Sequence, residues 1–140
     1  ELTERLVQLG IPVMAHVGLT PQRVKELGYV KQGTGAEDAE RIHDLAKRHA
    51  EAGAFSVVLE HVPASLAGRI TADIDIPTIG IGAGPDCDGQ VLVVDDVLGL
   101  SERSPPFARR FGSLREEMSD AVEAYRDAVA SGEFPPSEDS

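Results

Sequence analysis

Two side chains in this sequence could take part in acid–base chemistry, because each follows a short apolar run. Glu60 comes directly after AFSVVL, and His16 comes directly after IPVMA. A carboxylate at the mouth of an apolar core is partly dehydrated, which favours its protonated form and makes it a stronger base. A histidine in the same situation can orient or polarise a substrate oxygen. Position alone favours plainer interpretations: an exposed loop carboxylate for Glu60 and a hydrogen-bonded core residue for His16.

Other groups give weaker signals. His61 follows Glu60 and would face the opposite way in a continuing strand, which predicts a supporting or exposed position. The segment GIGAG, Gly80–Gly84, offers close backbone approach and N–H donors to an anion, but it lacks the spacing of a dinucleotide site. Asp95 and Asp96 would face opposite sides of a strand, so a cap or a surface charge is the alternative to a metal site. Cys87 is the only cysteine and has no neighbours at zinc-ligand spacing.

The elements that must position these residues repeat along the chain. Three nearly continuous apolar runs, Ile11–Val17, Ala54–Glu60 and Pro77–Ile81, are typical of strands covered on both faces of a parallel sheet. Apolar residues recur at helical spacing between them, over Glu37–Ala52 and Ala64–Ala72. This alternation predicts the α/β class. Barrels and open sheets both collect reactive residues at the carboxyl ends of strands, so this pattern alone does not choose between them.

Residues that start and stop helices set further boundaries. Thr20 before Pro21 predicts a helix start, and Gly53 predicts a helix end. Ser113 begins an amphipathic stretch that Gly132 ends.

The segment after Gly84 is ambiguous. Residues 90–94 could form a fourth strand, which we favour, or Asp88 could cap a short helix. The resulting domain organisation is a set of βα units over 1–112, a helix over 113–132 and a frayed acidic tail over 133–140.

Composition excludes several classes of partner. The 140 residues carry 24 acidic and 13 basic side chains, a net charge of −11 that would repel nucleic acid and anionic lipid. The sequence has no leader-like segment and no apolar run of membrane length, so we expect a cytoplasmic protein. Because Glu1 opens directly into a helical pattern, we also expect a piece of a longer chain.

Several sequence blocks, in this order, resemble the ketopantoate hydroxymethyltransferase family. They are HVGLTPQ (16–22), GYVKQG (28–33), VLEHVP (58–63), IGIGAG (79–84), DGQVLV (88–93) and PPFARRF (105–111), the last similar to the family's Pro-Lys-Phe-Ala-Lys segment. The resemblance covers nearly the whole chain and fades in the acidic tail.

The resemblance implies the carboxy-terminal part of a (β/α)₈ TIM-type barrel of the phosphoenolpyruvate mutase and isocitrate lyase group, working as a homo-oligomer. It implies hydroxymethyl transfer from methylene-tetrahydrofolate to α-ketoisovalerate, giving ketopantoate. Glu60 matches the family's proton acceptor, and His16 matches a histidine that lies against the bound keto acid. We also predict that Gly82, in the glycine-rich strand end, binds substrate.

The implied cofactor is Mg²⁺, and the resemblance assigns its carboxylate ligands to the first four βα units, which this chain lacks. No metal ligand is therefore predicted here. Two alternatives remain open: a catalytically inactive half-barrel that serves as an assembly module, and a carbon–carbon lyase or mutase of the related barrel group.

Overall fold

The computed structural model describes residues 1–20, 22, 24 and 28–136, and these fall into two compact units. The first unit comprises Glu1–Leu92 together with Pro105–Phe107. The second comprises Val93–Ser104 and the chain from Ala108 onward. Most of the helix predicted to start at Thr20 and Pro21 lies outside the described residues.

The first unit is a parallel sheet with helices between its strands, which confirms the α/β class. Its strands pair in the order β1-β2-β3-β4, and every pairing is parallel. The three predicted apolar runs supply the first three strands, and the predicted helix end near Gly53 is confirmed. The elements are α1 (Leu2–Gln8), β1 (Met14–Gly18), α2 (Ala36–Glu51), β2 (Ser56–Glu60), α3 (Ala64–Asp73), β3 (Thr78–Ile81) and β4 (Gly89–Gln90).

The core lies on one face of this sheet, where small apolar side chains meet α2 and α3. Val57 and Leu59 of β2 are fully buried, as are Ala46 of α2 and Ala67 of α3. Five of the twelve residues of this core, in the described part of the chain, are alanines. The helices thus bury their apolar stripes against the strands, as the helical spacing predicts.

The connection from β3 to β4 contains no helix in the described residues, and hydrogen bonds to the Asp88 side chain hold it against the start of β3. The Thr78 backbone N–H donates to Asp88 Oδ2 at 2.8 Å, and the Thr78 hydroxyl, buried completely, donates to the same oxygen at 3.0 Å. These bonds, the backbone one first, lower the pKa of the Asp88 carboxyl. Asp88 therefore closes a loop and caps no helix.

Within its described residues, the second unit contains two helices, α4 (Val94–Leu98) and α5 (Leu114–Ser131). The favoured strand over residues 90–94 is wrong beyond Gln90, because β4 stops there and α4 begins at Val94. The predicted boundaries of α5 are confirmed: Ser113 precedes the helix, and Gly132 ends it with φ of 79°. No helix in the described part of the chain is long and apolar enough to cross a bilayer.

We predict that replacing Asp88 with Asn reduces stability in a pH-dependent way. The pKa of Asp88 is lower folded than unfolded, so its stabilisation is complete above the unfolded value of about 3.9 and disappears as pH falls through the folded value. Denaturant titrations of the complete protein, meaning the longest natural polypeptide that contains these 140 residues, should show Asp88→Asn less stable at pH 7. That difference should shrink towards zero below about pH 4.

Asp86→Asn is the matched control, since Asp86 is an exposed carboxylate in the same connection. A loss from Asp86→Asn as large as that from Asp88→Asn would contradict this account of the loop.

Candidate functional site

The register of β1 and β2 places His16 and Glu60 on the same face of the sheet. His16 lies opposite Val58, and Gly18 lies opposite Glu60. Because strand side chains alternate between faces, His16 and Glu60 are diagonal neighbours on one face. Gly18 has no side chain, so nothing from β1 stands directly between them.

This face of the sheet is only partly covered. The side chains that point to the helical face are buried, whereas those on the other face are half-buried: His16 on β1, Val58 and Glu60 on β2, and Ile79 and Ile81 on β3. The continuous apolar runs predict strands covered on both faces, whereas the described residues bury one face and cover the other only in part.

The His16 imidazole and the Glu60 carboxylate are in direct contact. His16 Nε2 lies 2.9 Å from Glu60 Oε2, with 32% of the His16 side chain and 13% of the Glu60 side chain exposed. The ring nitrogen does not point at that oxygen in hydrogen-bond geometry, so the two groups are in contact without a hydrogen bond. The two residues that the sequence singles out for acid–base chemistry are thus brought together.

The backbone at Glu60 is fixed by the end of β1. The Leu19 N–H donates to the Glu60 carbonyl at 2.9 Å. Gly18 approaches so closely that a Cβ there would lie 2.2 Å from the same carbonyl oxygen. A glycine is therefore required for the strand ends to meet, and its φ of 93° also favours glycine.

His61 is buried, so of the two positions predicted for it, supporting or exposed, the exposed one is wrong. It is 6% exposed, and it has φ of 50°, in the left-handed region that costs an L-residue about 1–2 kcal/mol. Its N–H donates to the Ile81 carbonyl at 2.8 Å, and its carbonyl accepts from the Gln32 N–H at 3.0 Å. The strand therefore stops at Glu60 because the next residue turns the chain.

Phe107 packs against His61 and Gly82, at the ends of β2 and β3. The rings of His61 and Phe107 have centroids 4.8 Å apart. A Cβ on Gly82 would lie 2.5 Å from Phe107 Cγ, which gives a packing reason for this glycine. The assignment of Gly82 to substrate binding stays a prediction. Sequence reasoning missed Phe107, whose only signal was its place in the PPFARRF block.

The described residues do not form a site suited to Mg²⁺. Asp95 and Asp96 lie in the first turn of α4, a helix rather than the strand that we considered. In the described part of the chain, one group has metal-ligand spacing: Glu40, His43 and Asp44 on α2. Glu40 already pairs with Arg69 at 2.7 Å, and Mg²⁺ prefers a shell of oxygen ligands to imidazole nitrogen. No chemical step is therefore assigned to a metal held by this chain.

The fold and the site define a parallel α/β protein with a carboxylate–imidazole pair on adjacent strands. Glu60 is at the carboxyl end of β2, the location typical of catalytic groups in this class, and His16 is the middle residue of β1. Comparison with known sequences gives the family. The sequence model of ketopantoate hydroxymethyltransferase matches residues 1–137, so the chain belongs to that family.

Relatives named 3-methyl-2-oxobutanoate hydroxymethyltransferase agree with this result. The protein from Haloarcula marismortui is 67% identical over 135 residues, 96% of this chain and 50% of the relative. The one from Halobacterium salinarum is 64% identical over 140 residues, 99% of this chain and 51% of the relative. A cyanobacterial relative, from a Picosynechococcus species, is 55% identical over 136 residues, 97% of this chain and 52% of the relative. The chain thus spans about half the length of the curated relatives that it matches.

We predict that Gly18→Ala destabilises the complete protein more than Gly10→Ala. Both glycines have positive φ, but nothing lies within 4 Å of a Cβ at Gly10, whereas a Cβ at Gly18 meets the Glu60 carbonyl. Gly10→Ala should cost about 1–2 kcal/mol from its backbone conformation. Gly18→Ala should cost about 1–3 kcal/mol more from the steric conflict, measured by denaturant unfolding. Equal losses would show that β1 and β2 can separate at this point without penalty.

Proposed function

We propose that the complete protein transfers a hydroxymethyl group from methylene-tetrahydrofolate to α-ketoisovalerate, giving ketopantoate, and that Glu60 is its catalytic base. The observation that carries this proposal is the contact between the Glu60 carboxylate, 13% exposed at the end of β2, and His16 Nε2 at 2.9 Å. Membership of the family supports the reaction, and the half-length of the chain makes the activity a property of the complete protein.

The chemistry requires removal of a weakly acidic proton from the carbon beside the ketone. A Glu60 oxygen accepts that proton, and the C–H electron pair becomes the enolate of the keto acid. The enolate carbon then bonds to the one-carbon unit, whose two C–N bonds to the folate break. One water supplies the oxygen and the proton of the new hydroxyl. The other water proton and the proton taken by Glu60 end on the two nitrogens of the departing tetrahydrofolate.

His16 is suited to orienting the keto acid in this scheme. Its imidazole lies beside Glu60 on the half-exposed face, and 32% of its side chain is accessible. An N–H aimed at the substrate oxygen would favour the enolate, because negative charge develops on that oxygen as the proton leaves. Gly82, at the end of the neighbouring strand, is proposed to offer its backbone to the same substrate.

The proposed architecture of the complete protein is a (β/α)₈ barrel, with this chain as its carboxy-terminal part. Two features support it: the half-buried face that carries His16 and Glu60, and the fact that β1 has a strand on one side only, in the described part of the chain. In a closed barrel, further strands would pair with that edge and enclose that face. The division at residue 112 likewise remains a proposal.

The remaining assignments rest on the family and the charge. We propose a homo-oligomer in the cytoplasm that binds the keto acid and the folate and does not bind nucleic acid, in keeping with a net charge of −11. The Mg²⁺ of the resemblance is proposed to bind outside this chain.

Glu60→Gln in the complete protein should abolish exchange of the α-proton of α-ketoisovalerate with deuterated solvent, because an amide cannot accept that proton. Keto-acid binding should stay within about tenfold, since the amide nearly matches the carboxylate in size, and tenfold corresponds to about 1.4 kcal/mol. Proton NMR of the substrate and isothermal titration measure the two effects.

Glu51→Gln, at the exposed end of α2, is the matched control and should exchange at the wild-type rate. Exchange that survives Glu60→Gln would rule out Glu60 as the base. A wild-type protein with no exchange at all would instead favour an inactive barrel or the related lyase chemistry, which oxaloacetate or phosphonopyruvate as substrate would detect.

A further inference from the structure

The residue after Glu60 has an unusual conformation for its type. Among the described residues, His61 is the only non-glycine with positive φ, at 50°. A left-handed φ at His61 turns the chain away from the strand direction immediately after Glu60. The peptide bond that joins Glu60 to His61 is therefore held in place partly by whatever keeps His61 in this conformation.

Two kinds of contact hold His61. The hydrogen bonds to Ile81 and Gln32 use the backbone N–H and carbonyl of His61. Any residue at this position could make both bonds, except proline, which has no N–H. The contact of the His61 ring with Phe107, at 4.8 Å and an interplanar angle of 43°, depends on the side chains. Within this ring, Nδ1 is buried and has no hydrogen-bond partner, so packing rather than a hydrogen bond from Nδ1 holds the ring in place.

Phe107 is itself fixed on its other side. It fills the space above Gly82 so tightly that a Cβ there would lie within 3 Å of three Phe107 carbons. Phe107 belongs to a three-residue segment, Pro105–Phe107, that is part of the first unit although the residues on either side of it belong to the second. The aromatic ring thus packs against both His61 and Gly82, the residues that directly follow β2 and β3.

We propose that Phe107 is a positioning residue for Glu60: it holds the His61 ring, and through the left-handed backbone at His61 it keeps the Glu60 carboxylate beside His16. This inference rests on the proposed function of Glu60. Phe107 itself touches neither Glu60 nor His16 in any described contact, so its effect passes through residue 61.

The test is a double-mutant cycle in the complete protein. Phe107→Ala should lower kcat for α-proton exchange by about tenfold or more while leaving the Kd for α-ketoisovalerate within about threefold, because the base is displaced but the keto acid is still bound. His61→Asn removes the ring while supplying a residue that adopts the left-handed region readily. The loss caused by Phe107→Ala should therefore be smaller in the His61→Asn background than in the wild type.

Phe111→Ala is the matched control, because Phe111 lies four residues away and is 69% exposed. It should leave exchange unchanged. If Phe107→Ala does not fold, Phe107→Leu, which keeps most of the apolar volume without the aromatic ring, takes its place in the cycle. A folded variant whose exchange rate is within about twofold of wild type would overturn the proposal, as would a Phe107→Ala loss of the same factor in the wild-type and His61→Asn backgrounds.

A second readout separates this inference from the proposed function. At fixed pH, the NMR signal of the His16 ring carbon protons should move in Phe107→Ala, because the neighbouring carboxylate has shifted, and should stay in place in Phe111→Ala. If the wild type exchanges no proton, the proposed function of Glu60 fails, and the His16 signal becomes the only test of whether Phe107 positions the carboxylate. A His16 signal that does not move in Phe107→Ala would then refute the positioning role of Phe107.

Discussion

Close approach of β1 to β2 at Gly18 is the constraint on which the site depends. The Glu60 carbonyl occupies the space that any side chain at residue 18 would need, and the Leu19 N–H binds that carbonyl at 2.9 Å. Because the two strands meet so closely, His16 on one and Glu60 on the other reach contact diagonally across the register. A barrel or sheet enzyme can place its reactive groups only as accurately as the strand ends that carry them.

Much of the first unit could be predicted from local pattern. The continuous apolar runs identified β1, β2 and β3, and helical spacing identified α2 and α3, because these patterns report which faces must be buried. The same logic predicted both Glu60 and His16 at strand ends, which is right for Glu60, whereas β1 continues two residues beyond His16. That they share a face followed only from the register, which depends on how the two strands align in space.

What the sequence did not reveal depends on contacts between distant residues. The left-handed residue His61 packs its ring against Phe107, which lies 46 residues further along the chain. No local sequence pattern predicts a contact between residues so far apart. The strand favoured over residues 90–94 failed for a related reason. Its apolar residues are compatible with either a strand or a helix over so short a stretch. Asp88 accepts a hydrogen bond from Thr78 instead of capping a helix.

The alanine-rich core of the first unit has a thermodynamic consequence. Alanine methyl groups remove less apolar surface from water than leucine or isoleucine side chains, so each buried position contributes less to the heat capacity of unfolding. A smaller heat-capacity change gives a flatter dependence of free energy on temperature. The alanines of this core therefore add little to the heat-capacity change of unfolding, and the larger residues, such as Leu59 and Ile70, supply most of what the core contributes.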